Sequence, residues 1–473
     1  MNPDAAAQQT QAFAFGGGAA TTVLHPVVLL MMIASLVLMQ VLPRKYVIVP
    51  FLLSVFFTPL GQQLYVGGVH LLVMRILILG GWLRLLRMKF LSGKRLYVSP
   101  FNAIDRFFLL WALCHSAAVI LLWWDRGAVV NQVGFIWNAV GGYFLVRALI
   151  TNPEDIRRVI KVFVIISAVM AVGMTIEQVK HHNFFGDLGG GIDSVSFVRD
   201  GRIRSQGGFQ HPILAGTFGA VMLPLFYWLW FGGKSKVMAL VGVVSGLVMV
   251  VTSASSTPFM AIGAGFLALS FWPLRAHMRL FRWGLVMTLV GLHLIMKAPV
   301  WFLISHVDLI GASSGYHRAM LIDTFLRHFS DWWLMGTNNT FTWGWDMWDL
   351  SNQFVNEGEV GGLATLVLFI LVIAWSFARL GKARKASRNS PNRQWFLWFL
   401  GAALFSNIVA YFGISYFDQT QIAWYSLLAF VTAATVEALR RPDAPPHGIA
   451  GSPESSLLAA PEQNLTKVNA QLA

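Results

Sequence analysis

Apolar residues in this chain neither alternate nor recur once per helical turn. They continue for about 15–20 positions at a time, the pattern of helices that cross a bilayer. Such runs fall at 25–42, 46–60, 67–85, 104–124, 131–149, 158–177, 212–231, 236–252, 257–273, 283–303, 359–378, 395–412 and 419–438. The run at 46–60 is short, and the run at 67–85 carries His70 and Arg75. The pattern therefore predicts about 12–13 transmembrane helices. Strands of a membrane barrel would instead alternate over short stretches. Residues 1–24 read as a polar, Gly/Ala-rich tail with no cation before Arg44, unlike the start of a secretory signal. Residues 442–473 are Pro/Ala/Ser-rich and polar, the composition of a disordered tail. Between the tails the chain divides into helices at 25–177, a loop at 178–211, helices at 212–303, a loop at 304–358 and helices at 359–441.

Composition excludes several classes. Of 473 residues, 56% are hydrophobic and only 12% charged, against roughly 25% charged in soluble domains. With a mean hydropathy of +0.61, a soluble enzyme, a disordered chain and a fibrous repeat are all ruled out. The expected class is an all-α polytopic membrane protein. The net charge of +14 is the mark of cytoplasmic loops rather than of nucleic-acid binding. The single cysteine, Cys114, permits no intrachain disulfide and no thiolate cluster. Basic residues gather at 84–95, 157–161, 234–236, 275–282, 379–393 and 440–441, alternating with loops that carry few cations. The positive-inside rule puts these groups, and the 442–473 tail, in the cytoplasm. It puts the two long loops, 178–211 and 304–358, on the outer side.

Arg199, Arg202, Arg204, Arg318 and Arg327 break that bias by standing in the outer loops. Anion binding is one reason for such an exception, and snorkelling or carbonyl capping is the plainer one. No Walker loop, HExxH helix or Asp-x-Asp pair is present. No metal and no cofactor is therefore expected, and a bound phosphate would have to be neutralised by arginine. Three outer segments have candidate chemistry. Gly201–Pro212 enters a helix from outside, with Arg204 and His211 beside a helix start that favours anions. Ser313–Asn338 has Met320, Leu321, Phe325 and Leu326 at helical spacing, which predicts an amphipathic helix on the outer leaflet. Arg318 falls near its start, where helix electrostatics disfavour a cation. Trp345–Leu363 holds Asp346, Asp349, Glu357 and Glu359 just before a membrane helix. A carboxylate there is either a general base or, for Glu357 and Glu359, a complement to the helix dipole.

The order of these parts resembles the O-antigen ligase/O-antigen polymerase superfamily of bacterial integral membrane glycosyltransferases. The resemblance rests on Arg-x-x-Gly-x-Phe-x-x-Pro from Arg204 to Pro212 and on the small-residue hairpin Ser253-Ala254-Ser255-Ser256-Thr257-Pro258. It rests also on the long loop with Arg318 and Gly336, and on Ser351-Asn352-Gln353-Phe354 followed by Gly358 and Gly361. It covers about 195–435. It implies a GT-C-like architecture and a multi-pass protein of the bacterial inner membrane. It implies a donor glycan on undecaprenyl pyrophosphate, a glycan or lipid-linked glycan acceptor and membrane lipids as partners, with no nucleic acid. It implies ligation or polymerisation at the periplasmic face, in O-antigen or exopolysaccharide synthesis. Arg204 and Arg318 then form the pyrophosphate clamp, supported by Arg202 and His211. Asp349 is the first candidate base, with Glu357 second and His317 within reach. In ligases a His precedes the Asn, whereas Ser351 precedes Asn352 here. Either Asp349 takes that role, or the chain belongs to a polymerase-like branch, or the site is inactive. Small residues such as Ala215 and Gly219 leave either grooves for a lipid tail or contacts between helices. A flippase of polyprenyl-linked sugars, or another secondary transporter, is the rival reading. Arg75, Asp105, Arg147 and Glu177 lie in or near spans.

Overall fold

The computed structural model describes residues 21–93, 96–97, 99–199, 201–232, 235–306, 314–344, 347 and 351–440. Eight helices are long and apolar enough to cross a membrane: Ala103–Trp123, Arg126–Leu149, Pro153–Lys180, Pro212–Gly232, Met278–Ile295, Gln353–Ala386, Pro391–Tyr411 and Thr420–Arg440. Pro26–Val41, Lys236–Thr252 and Ser256–Ser270 are shorter apolar helices. The protein is thus an all-α polytopic membrane protein, with two small β-hairpins at its margin.

Every apolar run noted in the sequence contains helix, but three are shorter than the pattern predicts, among them 283–303, whose α-helix ends at Ile295. The run at 46–60 yields only Ile48–Phe57, about 15 Å long at 1.5 Å per residue and too short to cross alone. The run at 67–85 starts as the second strand of a hairpin, Gln63–Val66 paired with Val69–Leu72, and turns helical only at Val73. His70 is therefore on a strand, where it pairs opposite Tyr65.

Helix starts follow local chemistry. Pro26, Pro153 and Pro391 occupy first helical turns, where the missing N–H costs nothing. Asn102 and Asp105 form a reciprocal capping box, and Asn152 and Asn352 cap the helices after them. Inside the bundle, Pro212–Gly232 packs against Lys236–Thr252, Ser256–Ser270 and Pro391–Tyr411. Ala103–Trp123 packs along Gln353–Ala386. Met278–Ile295 stands apart, with none of its residues buried.

Hydrogen bonds between helix ends sort the chain into two faces. At one, Arg84 donates to Leu42 O, Arg158 to Lys45 O, Arg157 to Gly232 O and Arg384 to Arg275 O. At the other, Gln62 reaches Leu188 O, Ser205 N reaches Thr252 O, and Thr257 reaches Gly413 O. Successive helices alternate between these faces. The basic clusters of the sequence share the first, and both long loops emerge at the second.

The second long loop is folded. Helix Ser314–Arg327 and the turn Phe329–Trp332 build a small core of Leu321, Phe325, Trp332, Trp343, Met347 and Val355. Phe325 and Trp332 stack with centroids 3.9 Å apart. Instead of lying on a leaflet, this helix buries a broad face that includes Arg318, Asp323 and Thr324, while Leu326 is exposed. Gly358 makes the docking possible, because a Cβ there would collide with the Phe325 ring.

Candidate functional site

The turn leading into Pro212–Gly232 is held by side chains from distant parts of the chain. Strands Phe197–Arg199 and Arg202–Arg204 pair antiparallel and end at Arg204. Beyond them, Glu177 Oε2 accepts the Gln206 and Gly207 N–H groups at 3.0 and 2.9 Å. Asn183 donates to Gly207 O at 3.0 Å, and Gln419 donates to Gly208 O at 2.7 Å. Asp418 Oδ2 accepts the Gln210 N–H at 3.2 Å. Gly207 has φ +56, in the left-handed region that favours glycine. A Cβ on Gly208 would meet Met170 at 2.8 Å and the Phe56 carbonyl at 3.3 Å. The short Ile48–Phe57 helix thus ends directly beneath this turn, with Phe56 packed on Phe163, Phe209 and Phe218.

Arg204 and Arg318 come together on one hairpin. Both are nearly buried, at 5% and 4% exposure. Arg204 donates to Ser253 O at 3.4 Å and to Ser255 Oγ, and its guanidinium lies over the Phe197 ring. Arg318 donates to Thr257 Oγ1 at 2.8 Å and Ser256 Oγ at 3.4 Å, with Met260 Sδ alongside. Ser255 and Ser256 are consecutive, so their Cα atoms are about 3.8 Å apart. Two arginines more than a hundred residues apart in sequence therefore share the Ser253–Pro258 turn.

The other candidates are placed differently. His211 is half-buried, its Nδ1 accepting the Ile213 N–H at 3.2 Å. Burial, reinforced by the Arg204 and Arg199 charges, lowers its pKa to about 4. It is thus neutral near pH 7, a hydrogen-bonding helix-start residue beside Arg204. His317 is half-buried, one residue before Arg318. Arg202 is exposed, opposite Arg199 in the hairpin. With Gln178, Val251 and Phe259 it lines an open groove of about 510 Å³. Arg327 is mostly exposed and pairs with Asp323 at 2.7 Å. Asp349 lies outside the described residues.

Glu357 turns into the bundle. Its Oε2 accepts from Trp111 Nε1 at 2.7 Å and stands 3.9 Å from His115 Nδ1, and its Oε1 accepts from Gln353 at 2.7 Å. Gln353 in turn accepts the Tyr416 N–H at 2.7 Å. These bonds tie Glu357 to the Ala103–Trp123 helix and to the loop before Thr420. The hairpin holding the arginines touches the same loop, Thr257 donating to Gly413 O at 3.2 Å, but no hydrogen bond among those described joins Glu357 to either arginine. Ala215 and Gly219 leave no groove: Ala215 is fully buried, and a Cβ on Gly219 would meet the Gly246 carbonyl at 2.8 Å.

Three further residues belong to the region, and motif reading passed over them as site residues. Glu177, Asp418 and Gln419 are all nearly buried and fix the backbone of 206–210. Asp418 also caps the last helix by accepting the Thr420 N–H at 2.8 Å. Burial raises its pKa to about 6, against the opposing pull of those hydrogen bonds. The polar pair Asp418–Gln419 before an apolar run is a helix-start signal, but nothing in one dimension says that it reaches 210. Among the described residues, no group of three or more His, Cys, Asp or Glu side chains could hold a metal ion.

No protein-family model matches the chain, and the search of curated proteins finds no match.

Proposed function

We propose that the protein is a membrane glycosyltransferase of the O-antigen ligase/polymerase type, acting on glycan repeats carried by undecaprenyl pyrophosphate at the outer face of the bacterial inner membrane. One observation carries this reading. Arg204 and Arg318, both nearly buried, meet on the Ser253–Pro258 hairpin at the face opposite the basic clusters. Burying a guanidinium is costly, and two like charges brought together repel. A diphosphate offsets both costs, and arginine recognises it with its planar fork of donors.

In the proposed reaction an acceptor hydroxyl oxygen attacks the anomeric carbon of the donor sugar. A new glycosidic C–O bond forms as the bond to the pyrophosphate oxygen breaks. The hydroxyl proton passes to a carboxylate, for which Asp349 is the candidate. The bonding electron pair leaves on the pyrophosphate, where the growing charge faces the two guanidiniums. Glu357 is a poorer base, since both its oxygens already accept hydrogen bonds inside the bundle. His211, neutral and accepting the Ile213 N–H, orients the turn and adds no charge to the clamp.

Transport of a lipid-linked sugar would need ionisable groups free to change partners. Asp105 and Arg147 instead form a buried ion pair at 2.6 Å, with Tyr143 donating to Asp105 at 2.7 Å.

The test uses membranes supplied with lipid-linked repeats, with polymer or ligated glycan as the readout. Arg204→Ala and Arg318→Ala should each lower product at least about 100-fold, the scale of a lost transition-state donor, at unchanged membrane levels. Arg→Lys should restore little, because the bidentate fork is lost. Wild-type product from both alanine variants would remove the clamp.

A further inference from the structure

A second cavity, of about 460 Å³, opens at the basic face of the bundle. Arg147, Thr151, Glu154, Val436, Glu437 and Arg440 are among its lining residues. It lies where Thr420–Arg440 ends and Pro153–Lys180 begins, at the helix ends that carry the basic clusters. Its wall mixes apolar Ile150 and Val436 with two cations and two carboxylates.

The charges narrow the ligand. Arg147 is already neutralised by Asp105 at 2.6 Å. Glu437 Oε1 stands 3.9 Å from Arg393, while its buried Oε2 accepts no hydrogen bond from the described residues. Glu154 is exposed in the first turn of its helix, and Arg440 is exposed at the end of another. A purely anionic head group would meet two carboxylates, and a purely cationic one would meet two arginines. A zwitterion satisfies both. The buried carboxylate oxygen further calls for an N–H donor, since burying an acceptor without one is unfavourable. A primary ammonium has three such donors, and a trimethylammonium has none.

We propose that this cavity seats the head group of a phosphatidylethanolamine-type lipid, its ammonium directed at Glu437 and its phosphate at Arg440, with the glycerol end against Ile150 and Val436. The proposal is independent of the glycosyltransferase reading, because it concerns the opposite face of the molecule.

The full chain is reconstituted in vesicles of equal parts phosphatidylethanolamine, phosphatidylglycerol and phosphatidylcholine, and the lipids it retains on gentle extraction are weighed by native mass spectrometry. Wild type should retain phosphatidylethanolamine over both others. Glu437→Gln, which cannot offer a full charge to the ammonium, should lower that retention about tenfold, or about 1.4 kcal/mol. Equal retention of phosphatidylcholine, preference for phosphatidylglycerol, or unchanged retention by Glu437→Gln would each overturn the proposal. So would a wild-type chain that holds none of the three, which would leave the cavity to the polypeptide that follows Arg440. The wild-type preference stands as a test even if the variant does not fold.

Discussion

Asp105 and Arg147 show what single residues contribute to this bundle. Asp105 is fully buried and receives Arg147, Tyr143 and the Asn102 N–H. Removing one partner strands the other charge out of water. Asp105→Asn should therefore cost about 3–5 kcal/mol, read as a lower unfolding midpoint in detergent, and an unchanged midpoint would contradict the pairing. Asp418 gives a pH dependence of known sign. Its folded pKa of about 6 lies above the ordinary 3.8, so folding disfavours the ionised form. The penalty applies above about pH 6 and fades as pH falls toward 4, which makes the protein more stable on mild acidification. The gap corresponds to at most about 3 kcal/mol. In Asp418→Asn this part of the gain between pH 7.5 and 5 should disappear; wild type and variant with parallel pH curves would refute it.

Among the elements, the broken helix Gln353–Ala386 matters most. Gly362, at φ +75 and ψ −178, interrupts it. Across the break, Thr337 N donates to Glu359 O at 2.7 Å and Leu363 N to Trp333 O at 2.9 Å. The freed backbone groups are thus satisfied by the outer loop, which is how a break at membrane depth is tolerated. A Cβ on Gly362 would approach the Leu334 carbonyl at 2.7 Å. Gly362→Ala should cost at least about 1–3 kcal/mol from backbone strain and loosen the loop that carries Arg318. Gly381→Ala in the same helix, with nothing within 4 Å, should be neutral or gain up to about 1 kcal/mol. Equal thermal shifts for the two variants would show that the break is not structural. The glycines were visible in the sequence as a Gly-rich stretch after Asn352. The break was not, because a run of apolar residues after Gly362 reads as one continuous span.

At the scale of the whole molecule, the two faces can be tested directly. Cys114 is the sole cysteine, so in a Cys114→Ser background one introduced thiol reports one position. Arg202→Cys and Arg327→Cys should react with an impermeant reagent from one side of sealed vesicles, and Arg87→Cys and Arg388→Cys only from the other. All four sites are exposed. Labelling of Arg202→Cys and Arg327→Cys from opposite sides would end the shared-site reading. Chain composition determined by itself that this is a multi-pass helical protein, since uninterrupted apolar runs can satisfy their backbone in lipid only as helices. The spacing of cations likewise gave the alternation of faces, because each cluster sits at a helix end. Tertiary structure alone decided the rest. It put Arg204 and Arg318 on the Ser253–Pro258 turn, sent Glu357 toward Trp111, and brought Asp418 to Gln210. Those contacts span from 51 to 246 residues of sequence. Hydrophobic periodicity records which surface of a helix avoids water, but within a bilayer both lipid and protein neighbours are apolar. The partner of each face is therefore chosen by side-chain shape and by polar groups seeking one another, and only the folded bundle reveals that choice.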